Sequence, residues 1–332
     1  MRFIATEEHF FPPDVSIGPS PVPQVRGQDN REERMAEWGG GRLADMDAGG
    51  IDMQVLSMPA WTVHDMEDAE EALRLARKTN DTAAEAVQAH PDRFAAFATL
   101  PTGQPAAAAD ELERTVKELG FKGAMIPGPV RGRFLDDQFF WPIFERAQAL
   151  DVPIYLTVRN PPDAVMQAYY TGFTPEVNHT LAWAGWAWHC ECGLHSLRLI
   201  LGGVFDRFPD LQIIIGHMGE NIPFSLDRAD WFLSGTAKHL KRRVAEYFQD
   251  NFYITTSGYF SVPPLQCALA AVGADRILFA IDYPFADNAE GRAFLETAPI
   301  SHVDREKIAH GNAERLLRIP PVPAKFPAFK KA

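Results

Sequence analysis

Eight short apolar runs, rich in β-branched and aromatic residues, recur along the chain. They are RFIATEEHF (2–10), DMQVLSM (52–58), FAAFATLP (94–101), GAMIP (123–127), PIYLTV (153–158), LQIIIGH (211–217), FYITTSG (252–258) and ILFAIDY (277–283). Between most of them lie segments with helical period, among them 70–90, 108–120 and 141–150. Strands alternating with helices predict βαβ units and a parallel sheet. Eight such units predict an α/β fold, a (β/α)8 TIM-type barrel, formed by one domain over residues 1–317. The doubly wound alternative wants a glycine-rich turn after the first strand, and EEHFFPPDV offers prolines there.

Two stretches interrupt the alternation. Residues 11–30 are rich in Pro and Gly and read as a long loop. Residues 160–190, an aromatic-rich insertion after the fifth strand, hold MQAYYTGF and LAWAGWAWHC. A segment this long predicts a lid or pocket wall, with a subunit interface as the equal alternative. The Pro-rich tail 318–332 either wraps a partner subunit or hangs loose. No internal repeat is present.

The 332 residues are 46% hydrophobic and 23% charged, an ordinary globular composition. The net charge is -12, and Lys and Arg do not gather on one helix, which argues against nucleic acid and anionic membrane partners. Cys190, Cys192 and Cys267 give no disulfide framework and read as thiols in a reducing compartment. With no leader-like segment and no apolar run of spanning length, a soluble cytoplasmic protein acting on a small molecule is expected.

The chemistry lies at the strand ends, where barrels keep their active sites. Glu7 and His9, two apart, share a face of the first strand. His217 ends the alternation Ile213, Ile215, His217, and Asp282 ends Leu278, Ala280, Asp282. Packing does not explain four ionisable groups converging on one rim, because burying them unpaired is costly. Oxygen and nitrogen donors without thiolate suit Zn, Mn, Mg or Fe. Without a metal, Glu7 and Asp282 would repel, and one of them would hold a proton as a general acid.

Those residues carry a resemblance. The blocks EEHF (7–10), GHMGE (216–220) and DYPF (282–285), with RLADMDAGGIDMQVLSM (42–58) and KIAHGNAERLL (307–317), make the chain similar to the amidohydrolase superfamily. The branch is the one containing γ-resorcylate, 2,3-dihydroxybenzoate and 5-carboxyvanillate decarboxylases and aminocarboxymuconate-semialdehyde decarboxylase. The resemblance implies a carboxy-lyase that non-oxidatively decarboxylates a hydroxylated aromatic or related cyclic acid. A divalent metal would be held by Glu7, His9 and Asp282. His217 and Glu220 would flank the substrate, and Asp282 would protonate the ring carbon. Arg228 would meet a substrate carboxylate or hydroxyl; Arg159 and Thr157, at the end of the fifth strand, are further substrate-contact candidates. A homo-oligomer, dimer or tetramer, is also implied.

The chain departs from the family's pattern at one position. Where the fifth strand of the family ends in YLHPR, with its His a metal ligand, this chain reads YLTVR, and Thr157 replaces the His. Three outcomes follow: weak metal binding completed by waters or His217; a metal-free site with Arg159 or Arg228 supplying charge for hydrolase, hydratase or other chemistry; or lost activity. His189, His195 and Glu191 lie near the insertion. A replacement ligand among these histidines is weighed against surface or hydrogen-bonding roles, and the latter is preferred.

Overall fold

The structure, a computed structural model, describes residues 1–12, 30–59 and 63–327. Most of the Pro/Gly-rich stretch 11–30 therefore lies outside the described residues. The apolar runs become nine strands: β1 (Ile4–His9), β2 (Met53–Ser57), β3 (Phe94–Ala96), β4 (Ala98–Thr99), β5 (Ala124–Pro127), β6 (Ile154–Thr157), β7 (Ile213–Ile215), β8 (Phe252–Thr255) and β9 (Ile277–Leu278). Every pairing is parallel. Alternate side chains form two cores. Ile4, Val55, Phe97, Met125, Tyr155, Ile214, Tyr253 and Leu278 meet in one cluster, while Ala5, Leu56, Ile126, Leu156, Ile213 and Ile215 pack in the other, together with helix residues such as Leu112 and Phe144. This two-sided burial explains why the strands read as apolar runs rather than as alternating ones.

The hydrogen-bonded ladders fall into two sheets, β1–β2–β3 and β4–β5–β6–β7–β8–β9, a TIM-like α/β arrangement rather than one continuous ladder. The interruption lies at Phe97. Its N–H donates to Leu56 O (2.9 Å), whereas the N–H of Ala98 turns the other way, to Gly123 O (2.8 Å). At the opposite edge, β1 meets the chain beyond β9 through Thr6 N–H to Phe279 O (3.1 Å), Asp282 N–H to Glu7 O (3.1 Å) and His9 N–H to Tyr283 O (2.7 Å). Glu8, on the opposite side of β1 from Glu7 and His9, fastens this edge. Its carboxyl oxygens accept the N–H groups of Ile281 (2.9 Å) and Tyr283 (3.0 Å).

Helices follow the expected segments closely, as in Ala69–Ala89, Pro105–Leu119 and Trp141–Leu150. The first is capped by Asp68, whose side chain accepts the N–H groups of Glu70 and Glu71. Residues 160–190 are largely helical, with Asp163–Tyr169 and Pro175–Ala182 preceding the helix Ala187–Leu201. The described part of the tail lies on its own chain, where Arg2 donates to Pro320 O (2.9 Å). The triplet Lys241–Arg242–Arg243 is an exception to the scattered basic charge, and its two arginines are paired with carboxylates locally. Arg242 pairs with Asp250, Arg243 with Asp230, and Lys241 donates to Asp206 O (3.2 Å). Among the described residues no helix is long and apolar enough to cross a membrane.

Candidate active site and metal centre

β1 carries Glu7 and His9 to one end of the sheet. A ligand atom from each of Glu7, His217 and Asp282 lies within 4.8 Å of the other two. His9 joins through Asp282, with Nε2 3.2 Å from Oδ1. Its Nδ1 stands 3.3 Å from Ser57 Oγ on β2. His217 Nε2 is 3.7 Å from Asp282 Oδ2, and its Nδ1 is 2.7 Å from Glu220 Oε1.

The backbone that presents these groups is strained. His217, Met218, Gly219, Glu220 and Asn221 all have φ between 49° and 87°, and Asp282 has φ 73°. Non-glycine residues in this left-handed region are uncommon and collect at functional sites. Gly216, just before the turn, has a separate reason: a Cβ there would sit 2.9 Å from Glu7 Oε2.

The charges divide among these groups. Burial pushes the Glu7 carboxyl above its ordinary range and Asp282 adds to this, against the pull of His217 and His9. Burial would also raise Asp282, but hydrogen bonds from His217 and His9 bring it below the usual carboxylate range. Burial would depress His217, yet the carboxylates of Glu220 and Glu7 outweigh it and hold the imidazole well above its ordinary value. These directions favour a protonated imidazole at His217 and an ionised carboxylate at Asp282.

Sequence reasoning missed a hydroxyl cradle. Oε2 of Glu7 accepts hydrogen bonds from Tyr155 and Ser257, with Thr255 at 3.4 Å, and Tyr155 and Thr255 are 3.2 Å apart. The three come from β6 and β8 and the turn after it. Thr157, 4% exposed, follows Tyr155 by two residues on β6 and so takes the same side of the strand. It brings no nitrogen to the site.

His189, expected to be a surface or hydrogen-bonding residue rather than a replacement ligand, is buried and hydrogen-bonded. Its Nδ1 is 2.8 Å from Glu220 Oε2 and its Nε2 is 3.1 Å from Ala184 O. With His217 and Glu220 it makes a second close group of ligand atoms, apart from Glu7 and Asp282. His195, on the same helix, is occupied elsewhere, accepting the N–H of Leu135 at 2.9 Å. Arg159 pairs with Asp65, and its Nη1 is buried without a hydrogen-bond partner among the described residues. Arg228 is not brought to the group. It is exposed, with its guanidinium 4.2 Å from the centre of the Phe232 ring.

The donor set fits a divalent cation. Two carboxylates and two imidazoles, free of thiolate and largely buried, converge there.

Comparison with known proteins agrees with this chemistry. The amidohydrolase family model matches residues 4–319. A γ-resorcylate decarboxylase of Polaromonas sp. is 38% identical over 326 residues, 95% of this chain and 98% of that protein. A solved 2,6-dihydroxybenzoate decarboxylase in complex with 2,6-dihydroxybenzoate superposes with TM-score 0.88 at 37% identity, covering 96% of this chain and 99% of the other. A dihydroxybenzoic acid decarboxylase of Polaromonas sp. JS666, with bound manganese and the inhibitor 2-nitroresorcinol, superposes with TM-score 0.85 at 38% identity, covering 96% and 97%. The chain belongs to the amidohydrolase family.

Proposed function

We propose that the protein is a non-oxidative, metal-assisted decarboxylase of a hydroxylated aromatic carboxylic acid. The observation that carries this is the meeting of Glu7, His217 and Asp282 within 4.8 Å in a chain 38% identical to a γ-resorcylate decarboxylase. Glu7, His9 and Asp282, with His217 adjoining, would hold the cation, for which manganese is the first candidate and zinc or magnesium the others. Bound there, it supplies positive charge and a template for carboxylate and phenolic oxygens. The hydroxyls of Tyr155, Thr255 and Ser257 fix one oxygen of Glu7, leaving the other to face the site.

The protein's own groups account for the proton. His217 passes its proton to Asp282, 3.7 Å away, and Asp282 delivers it to the ring carbon bearing the carboxylate. The C–C bond then breaks, its electron pair restores the aromatic ring, and CO2 leaves. Overall, an aromatic carboxylate and one proton give the arene and CO2. The unpartnered Nη1 of Arg159 supports a role in binding a substrate oxygen, since buried N–H groups are rarely left unpaired.

The hydrogen bonds from β1 to Phe279 and Tyr283 favour reading the two sheets as one closed (β/α)8 barrel. Residues 160–190 act as a lid, with Tyr169 75% exposed. Phe224 and Trp231, 89% and 76% exposed, flank Arg228 along one helix face and favour a homo-oligomer in which Arg228 serves a neighbouring copy. Three free cysteines agree with the reducing cytoplasm.

The test is CO2 release from 2,6-dihydroxybenzoate and related hydroxybenzoates with added MnCl2, against a chelated control. Turnover that depends on the cation is expected. No turnover with any divalent cation would overturn the reading and favour hydrolase or hydratase chemistry.

A further inference from the structure

We infer that His189 is a positioning residue, which locks the carboxylate of Glu220 so that Glu220 in turn holds His217 toward Asp282. The inference rests on the decarboxylase reading. Its geometry is a chain of contacts, His189 Nδ1 to Glu220 Oε2 (2.8 Å), Glu220 Oε1 to His217 Nδ1 (2.7 Å) and His217 Nε2 to Asp282 Oδ2 (3.7 Å).

The need for a second clamp on Glu220 follows from torsional freedom. The terminal torsion of a Glu side chain is broad, so one hydrogen bond leaves the carboxylate plane free to turn. Donors on both oxygens fix it. Glu220 is 1% exposed, so water does not supply the second donor cheaply. His189 is itself anchored, with Nε2 on Ala184 O at 3.1 Å and its ring edge-on to those of His217 (4.9 Å) and Tyr259 (5.4 Å).

The same helix holds the backbone of Glu220. A Cβ at Gly193 would come 2.5 Å from Glu220 O, so the helix Ala187–Leu201 docks directly on the strained turn at this glycine. Glu220 has φ 52°, a conformation that persists only where surrounding contacts impose it. One helix therefore fixes both the backbone and the side chain of the residue that orients His217. The nitrogen absent at Thr157 is not restored at the Glu7–Asp282 group. His189 stands on the far side of His217 and makes its bonds to Glu220 and Ala184.

The test compares His189→Ala and His189→Asn in the full chain loaded with Mn2+. Asn places an N–H near the position of Nδ1. For His189→Ala, kcat on 2,6-dihydroxybenzoate should fall about 10- to 100-fold, the usual cost of removing a supporting hydrogen bond around a metal site. KM and the number of Mn2+ bound per chain should stay unchanged, and a crystal structure should show Glu220 turned away from His217. His189→Asn should recover most of kcat. An unchanged kcat, an intact Glu220–His217 contact in the Ala variant, or no recovery with Asn would overturn the proposal. Loss of one bound Mn2+ per chain would also overturn it, making His189 a ligand. If the parent turns over no hydroxybenzoate, the decarboxylase reading fails, and the crystallographic comparison still decides the role of His189.

Discussion

The two flanks of His217 are built from different materials. On one side stand Glu7, His9 and Asp282, with the hydroxyls of Tyr155, Thr255 and Ser257 behind Glu7 and Thr157 two residues beyond Tyr155. On the other side stand Glu220 and His189, where each carboxylate oxygen already has a nitrogen partner. The first flank brings two carboxylates, Glu7 and Asp282, together with His9 and His217. The second is internally satisfied. That difference is why metal binding is proposed at the Glu7–Asp282 flank and an orienting role at the Glu220–His189 flank.

Asp282→Asn should break the comparison most severely, because it removes the proposed proton donor and a proposed ligand together. A loss of about 10²- to 10⁴-fold in kcat is expected in a CO2-release assay. A fall of less than tenfold would move the acid elsewhere. Tyr155→Phe tests the hydroxyl cradle. Glu7 would lose one donor, and Mn2+ affinity measured by calorimetry should drop about 10-fold or more. Retained affinity would show that Ser257 and Thr255 suffice.

Thr157→His sharpens the comparison in the opposite direction by adding a nitrogen to the donor-poor flank. Mn2+ binding should tighten about tenfold, or about 1.4 kcal/mol, net of the strain of enlarging a buried side chain. Unchanged affinity would mean that position 157 does not face the group.

The smallest expected effect concerns the helix that carries His189. Burial, helped by the Arg198 charge, lowers the pKa of His195 to about 3. The folded protein thus refuses a proton that the unfolded chain accepts near 6.5. Its stability contribution is whole above pH 6.5 and is lost as the pH falls toward 3. His195→Gln should remove that slope. The stability gap between variant and parent, from urea unfolding, should shift in the variant's favour by about 2 kcal/mol between pH 7 and pH 5. A constant gap would show that His195 already carries its proton when folded.

Much of this was legible in the residues. All eight apolar runs contain strands because two-sided burial leaves a local mark, although the ladder at 277–283 is only Ile277–Leu278. The run 94–101 hid its break, since nothing in FAAFATLP reveals that Phe97 and Ala98 donate to opposite neighbours. Glu7 and His9 were visible because period-two alternation puts both on one face of β1. His217 and Asp282 were visible only as ionisable groups following apolar runs: Ile213 and Ile215 pack on the opposite face, and positive-φ backbone beyond β7 and β9 turns the two side chains into the site. The departure at Thr157 was visible as well, because it interrupts an otherwise close resemblance. The cradle was not, since Tyr155 and Ser257 lie 148 and 250 residues from Glu7 and only strand register brings them to one oxygen. His189 and His195 looked alike in sequence. The helix docking at Gly193 gave one of them Glu220 and buried the other against Leu135.

The sequence by itself therefore determined the alternating α/β architecture, the family, and the donor types at the strand ends, because each leaves a local, periodic or motif-sized trace. Tertiary structure alone decided which charges meet. It set Glu220 and Glu7 beside His217 and raised its pKa while lowering that of Asp282, surrounded Glu7 with hydroxyls, turned His189 inward and left Arg228 exposed at the surface. The physical reason is that electrostatic coupling depends on distance and burial, and both arise only when remote segments are packed together.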